Sequence, residues 1–159
     1  MMNFDSGDQM KIFPMHDVTT DGKETSKTTS SIIVRSISDI AQIHNMYTPN
    51  PLGTPYTQVN NAARELGALL DKGGADEGWL VILTDGTFDG DLPKDGLEKD
   101  LQNKAASREN MYVQYLAMGS NIEKDTIPDT DESIGLYGQQ AADSSQVTNE
   151  LAVISNRIF

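Results

Sequence analysis

Gly78-Trp-Leu-Val-Ile-Leu-Thr-Asp-Gly-Thr-Phe-Asp-Gly90 is the stretch on which the fold turns. Trp79–Leu83 is an unbroken apolar run of strand length, and such a run predicts a strand covered on both faces. It stops at Thr84-Asp85-Gly86, so a carboxylate stands at the strand's end. Asp85 is there as a helix cap, as a turn former before Gly86 or as part of a site.

Upstream, Thr54-Pro55 opens a helix. Proline suits the first helical position, and Val59, Ala62, Ala63, Leu66, Leu69 and Leu70 form one apolar stripe. Lys72-Gly73-Gly74 ends it. Downstream, Leu97, Leu101 and Ala105 mark a second helix, and Tyr112–Met118 a second buried strand stopped by Gly119. Asp125–Ser133 is an acidic loop, and Gly135–Ala141 a short last strand. The final helix is capped at Asp143 or Ser144 and carries Val147, Leu151, Ile154 and Ile158 on one face. Towards the N-terminus, Gln9–Met15 predicts a strand that Pro14 confines to an edge, and Val18–Ser31 a polar loop or hairpin. Ser31–Ile37 is a β-branched strand, and Ser38–Tyr47 suits a helix. This alternation is that of one α/β domain over 1–159 with a mostly parallel, doubly wound sheet.

Composition narrows the function. The chain carries 24 acidic against 12 basic residues, a net charge of −12. Such a surface repels phosphate backbones and anionic headgroups, which disfavours nucleic-acid partners. No apolar run approaches the ~20 residues of a membrane span, so no direct membrane insertion is expected within this chain. Cysteine is absent, which removes disulfides and thiolate chemistry together.

In open α/β sheets, ligands bind beyond the C-terminal ends of the strands. Asp85 occupies that position, and the Gly53-Thr54-Pro55 loop belongs to the same rim. A carboxylate and a hydroxyl meeting there are hard oxygen donors suited to Mg²⁺ or Mn²⁺. Taken alone, Thr54 is more simply a helix N-cap.

Leu83-Thr84-Asp85-Gly86 after Trp79–Ile82, preceded by Leu52-Gly53-Thr54-Pro55 and its helix, resembles the von Willebrand factor type A domain. The resemblance extends through Tyr112–Gly119 to the terminal helix. It implies a three-layer αβα fold and a metal-ion-dependent adhesion site, with Thr54 and Asp85 as metal ligands. It further implies a non-enzymatic, adhesion-type role in which Mg²⁺ or Mn²⁺ accepts an acidic side chain from a protein partner. Members of that family in bacteria point to the cell envelope or the extracellular space. One element departs from the pattern. The family's Asp-x-Ser-x-Ser motif, at the end of its first central strand, has no counterpart here. Asp5-Ser6-Gly7 lacks the spacing, and Asp131-Glu-Ser133 stands at the wrong end of the chain. The expectation is therefore a sheet lacking its first central strand, with metal binding weakened or lost and self-association through the gap.

Rival chemistries fit less well. An α/β scaffold would use Thr54 as a cap and Asp85 as a turn. Asp85-Gly86-Thr87 also resembles half of the Asp-x-Asp-Gly-Thr motif of haloacid-dehalogenase-type phosphatases, but Leu83 stands at the nucleophile's position. His16 and His44 lack paired metal-ligand spacing. A calcium loop begun at Asp89 places Pro93 and Lys94 where an oxygen donor and glycine are required. Tyr47, Tyr56, Tyr112, Tyr115 and Tyr137 are not expected to form a basic–aromatic platform, and the acidic clusters are expected to be solvated loops.

Overall fold

The computed structural model describes residues 8–18, 32–34, 47–51, 55–86, 88 and 92–158. The chain is mixed α/β, and its described residues hold a three-stranded parallel sheet, three α-helices and two antiparallel strand pairs. It divides into two compact units, 3–62 with 88–91 and 1–2 with 63–87 and 92–159, and the boundary at 62/63 falls inside the helix Pro55–Asp71.

In the N-terminal unit, β1 (Met10–Ile12) pairs antiparallel with β3 (Ile32–Val34), and Lys11 faces Ile33. β2 (His16–Val18) pairs with β4 (Tyr47–Pro51), His16 facing Pro51 and Val18 facing Tyr47, with an irregular register between. β1 ends before Pro14, as the loss of a backbone donor requires. β4 was not apparent from the sequence, since Pro49 and Pro51 argue against a strand. Of the loop expected over Val18–Ser31 and the helix expected over Ser38–Tyr47, only the end residues Val18 and Tyr47 are described, and they lie instead in β2 and β4, facing each other. The remainder lies outside the described residues. The first turns of α1 (Pro55–Asp71) belong here too. Tyr56 and Val59 are buried, Gln58 Nε2 donates to Pro14 O at 3.1 Å, and Tyr56 meets Phe88 edge-on at 5.3 Å.

The larger unit holds the sheet, in the order β5 (Gly78–Thr84), β6 (Met111–Met118), β7 (Leu136–Ala141). The register is unbroken from Gly78↔Met111 to Thr84↔Ala117, and from Val113↔Leu136 to Met118↔Ala141. α1 ends as glycine dictates: the N–H groups of Gly73 and Gly74 close on the carbonyls of Leu70 and Leu69, with Gly73 at φ 65°. Leu66 and Leu70 lie against Gly78, where a Cβ would come within 2.6 Å of Leu66 Cδ1. α2 (Leu97–Ala105) buries Leu97, Leu101 and Ala105, the predicted stripe, and packs against β6 and β7.

α3 (Ser144–Ile158) settles the choice of cap: Asp143 Oδ1 accepts the Gln146 N–H at 2.9 Å, and Gln146 Oε1 accepts the Ala142 N–H at 2.8 Å. Its Ile154 packs with Leu116 and Ala141, flanked by Val147, Met118 and Ile158. Leu151, expected on that stripe, is 40% exposed.

The sheet corrects one expectation directly. β5 is buried on one face only. Gly78, Leu80, Ile82 and Thr84 face the core, whereas Val81 is 38% and Leu83 43% exposed. The register puts Val81 beside Gln114 and Leu83 beside Leu116, so all four share one face, which α3 covers over β6 and β7. The continuous apolar run is thus a half-exposed strand without the usual polar alternation.

Candidate functional site

Asp85 follows the last residue of β5 and is exposed at the C-terminal rim of the sheet. The turn that holds it is built by its neighbours. Thr84 Oγ1 accepts the Gly86 N–H at 3.0 Å, and Gly86 takes φ 85°, a conformation that costs a residue with a Cβ. A Cβ there would also crowd Ile122 Cγ2 at 3.2 Å. The sequence Thr-Asp-Gly is therefore a turn closed by threonine and permitted by glycine, with Asp85 exposed between them. Thr54, the other predicted ligand, lies outside the described residues, and so does its expected approach to Asp85.

Beneath this rim lies Tyr115, aligned with Ile82 and wholly buried. Its hydroxyl finds no hydrogen-bond partner among the described residues. Burial pushes its pKa up to about 12, and the charge of Asp85 adds to the shift. Among the described residues no group of three His, Cys, Asp or Glu side chains is placed to hold a metal ion.

A second constellation stands at the other end of the strands, where sequence reasoning expected nothing. Trp79, Tyr112 and Tyr137 are each the second residue of a parallel strand. The Trp79 ring stacks on Tyr112 at 4.7 Å and on Tyr137 at 5.9 Å, and the Arg157 guanidinium lies 4.1 Å from the Tyr137 ring centre. Arg157 Nη1 donates to Gln114 Oε1 at 2.6 Å, and the buried Gln114 donates through Nε2 to Gln139 Oε1 at 3.0 Å. Within the cluster Tyr137 takes the cation, and Tyr112 meets the Trp79 ring. The signal was available as a common offset from each strand's start. The cluster fastens α3 to the sheet.

The acidic segments divide. Asp95–Lys99 and Asp100–Lys104 are helix-spaced ion pairs of the kind that decorate a solvated face. Residues 130–131 instead do structural work. The Asp131 N–H donates to Leu136 O at 2.8 Å, the Leu136 N–H returns to Asp131 O at 3.0 Å, and the Gly138 N–H donates to Thr130 Oγ1 at 3.1 Å. The loop expected to be merely solvated closes the outer edge of β7.

Asp71 and Arg108 make a forked pair, Nε to Oδ1 and Nη2 to Oδ2, both at 2.8 Å. The hydrogen bonds from Arg108 hold the Asp71 carboxyl below the usual carboxylate range.

No helix among the described residues is long and apolar enough to cross a membrane. Comparison of the chain with protein-family models, curated proteins and solved structures finds no match.

Proposed function

We propose that the chain is a von Willebrand factor A-like, non-enzymatic protein-binding domain, its parallel sheet forming the middle of three layers. The observation that carries this reading is the position of Asp85. It ends a parallel strand that lies between α1 and α2 in the chain, in a Thr-Asp-Gly turn at the rim where open α/β sheets receive ligands. On this reading the partner presents an acidic side chain, and the setting is the cell envelope or the extracellular space.

The metal of the resembled family fits poorly. Thr54 and Asp85 supply a neutral oxygen and a single charge, and no convergent group of three acidic or imidazole ligands accompanies Asp85 among the described residues. Mg²⁺ or Mn²⁺ held by this pair alone binds no better than about millimolar. Calorimetric titration of Mg²⁺ and Mn²⁺ into the chain and into Asp85→Ala tests the reading. Weak heat that disappears in the variant supports it; tight binding, or binding that survives Asp85→Ala, overturns it.

A second reading, an α/β scaffold without a metal site, draws support from the Thr84–Gly86 bond, which closes the turn without Asp85. A phosphohydrolase reading predicts Mg²⁺-dependent turnover of a generic phosphate ester, and its absence would remove that class.

A further inference from the structure

We propose that the outer edge of β5 docks an extended strand of a partner polypeptide, apolar at alternate positions and basic at both ends. The backbone geometry defines the edge. The Gly78 N–H points towards β6, donating to Asn110 O at 2.9 Å. Alternation along the strand turns the N–H and C=O groups of Trp79, Val81 and Leu83 the other way. Among the described residues β5 has no strand on that side, and the backbone groups of these three residues meet no partner there; the Trp79 indole N–H donates to Glu77 Oε1 at 3.1 Å.

Exposed edges are normally blunted by charge, proline, a bulge or a covering loop. β5 has none of the first three: Gly78–Thr84 contains no charged residue and no proline, and its register with β6 is unbroken. The other end of the same sheet is treated differently. On β7 the outward groups of Leu136 and Gly138 are paired with residues 130–131. One edge is sealed and the other is left with Val81 and Leu83 exposed beside it. Strand addition to such an edge draws affinity from main-chain hydrogen bonds and specificity from alternate side chains.

Charge selects the occupant. Asp76 and Glu77 precede the strand and Asp85 follows it, all exposed, on a chain of net charge −12. A second copy pairing antiparallel about Val81 would set Glu77 opposite the other copy's Asp85, and like charges opposed across strands destabilise. Lysine or arginine at both ends of the incoming strand complements these carboxylates instead.

The experiment uses the full chain in EDTA, which separates it from the metal reading. A fluorescein-labelled alternating Val-Thr peptide with Lys-Lys at each end is titrated by anisotropy against the same peptide ended by Glu-Glu. The basic peptide is expected to bind about tenfold tighter at low salt, with the gap narrowing as salt rises. Binding should protect the Trp79, Val81 and Leu83 amides from hydrogen exchange, while those of Leu80 and Ile82 are already protected by β6. Val81→Pro removes an outward N–H without touching the β5–β6 ladder and should abolish binding. Val81→Lys, a milder change checked by circular dichroism, should weaken the basic peptide selectively. Equal binding of both peptides, no binding, or unchanged exchange at Trp79, Val81 and Leu83 overturns the proposal. So does concentration-dependent protection of those amides without peptide, which would make a second copy the occupant.

Discussion

Thr130 and Gly138 exchange hydrogen bonds through a single hydroxyl: Oγ1 accepts the Gly138 N–H at 3.1 Å and donates to the Gly138 carbonyl at 3.2 Å. This contact brings the backbone of residue 128 onto β7, so that a Cβ at position 138 would lie 1.7 Å from Pro128 O. Backbone cannot yield as a flexible side chain does. Gly138→Ala should therefore cost at least about 3 kcal/mol, at the upper end for overpacking. Gly73→Ala is the comparison. Gly73 has φ 65° and open space around it, so only the left-handed backbone is penalised, about 1 kcal/mol. Urea denaturation of the two variants checks the order; equal losses would mean that the 127–131 loop moves freely from β7.

Leu83 and Leu116 are register partners with opposite fates. Leu116 is fully buried against Ala141 and Ile154, whereas Leu83 is 43% exposed. Leu116→Ala should cost ~2–5 kcal/mol, the range for a buried leucine. Leu83→Ala should cost less than about 2 kcal/mol, because much of its surface already meets water. Equilibrium unfolding measures both. A Leu83→Ala loss as large as that of Leu116→Ala would place Leu83 in a core that the exposure denies.

The contrast shows how far the sequence could be read. Element type and order in the larger unit followed from periodicity and from strong punctuation at Pro55, Gly73, Gly119 and Asp143. Burial did not, because an all-apolar strand carries no alternation to distinguish its two faces. β4 was hidden by its prolines. At the candidate site, Asp85's place at a strand end was legible, since strand and turn chemistry both act locally. The pairing of Arg157 with Gln114, 43 residues apart, was not. Neither residue type announces a partner without the register that brings the strands together.

That pairing has a measurable consequence. Gln114 is wholly buried, and its Oε1 accepts from Arg157. Arg157→Ala removes this donor and the cation above Tyr137, and should cost about 1–3 kcal/mol through the unsatisfied carbonyl. In a Gln114→Leu background the same change should cost less, since no buried oxygen is left unpaired. A double-mutant cycle should return a coupling of about 1 kcal/mol or more. Strict additivity would reduce Arg157 to surface packing on α3.

Tyr115 makes stability fall at alkaline pH. Its phenol is buried and has no hydrogen-bond partner among the described residues, and burial, with Asp85's charge adding to it, raises the folded pKa to about 12, from an ordinary value near 10. A raised acid pKa means that the unfolded state ionises first. The neutral phenol's contribution is therefore complete below about pH 10 and is lost as pH rises towards about 12. Two pKa units set an upper bound of roughly 3 kcal/mol over that window, which solvent screening reduces. Tyr115→Phe deletes the ionisable group and leaves no hydrogen bond broken, so at neutral pH it should be neutral or stabilising by up to about 1 kcal/mol. The informative quantity is the difference between wild type and Tyr115→Phe in urea midpoints from pH 7 upward. That difference should widen in favour of the variant above pH 10. Asp85→Asn should narrow it, by removing the second contribution to the shift. Midpoints that run parallel across the whole range would show that the hydroxyl ionises in the folded protein as freely as in the unfolded chain, and hence that it meets water or a partner.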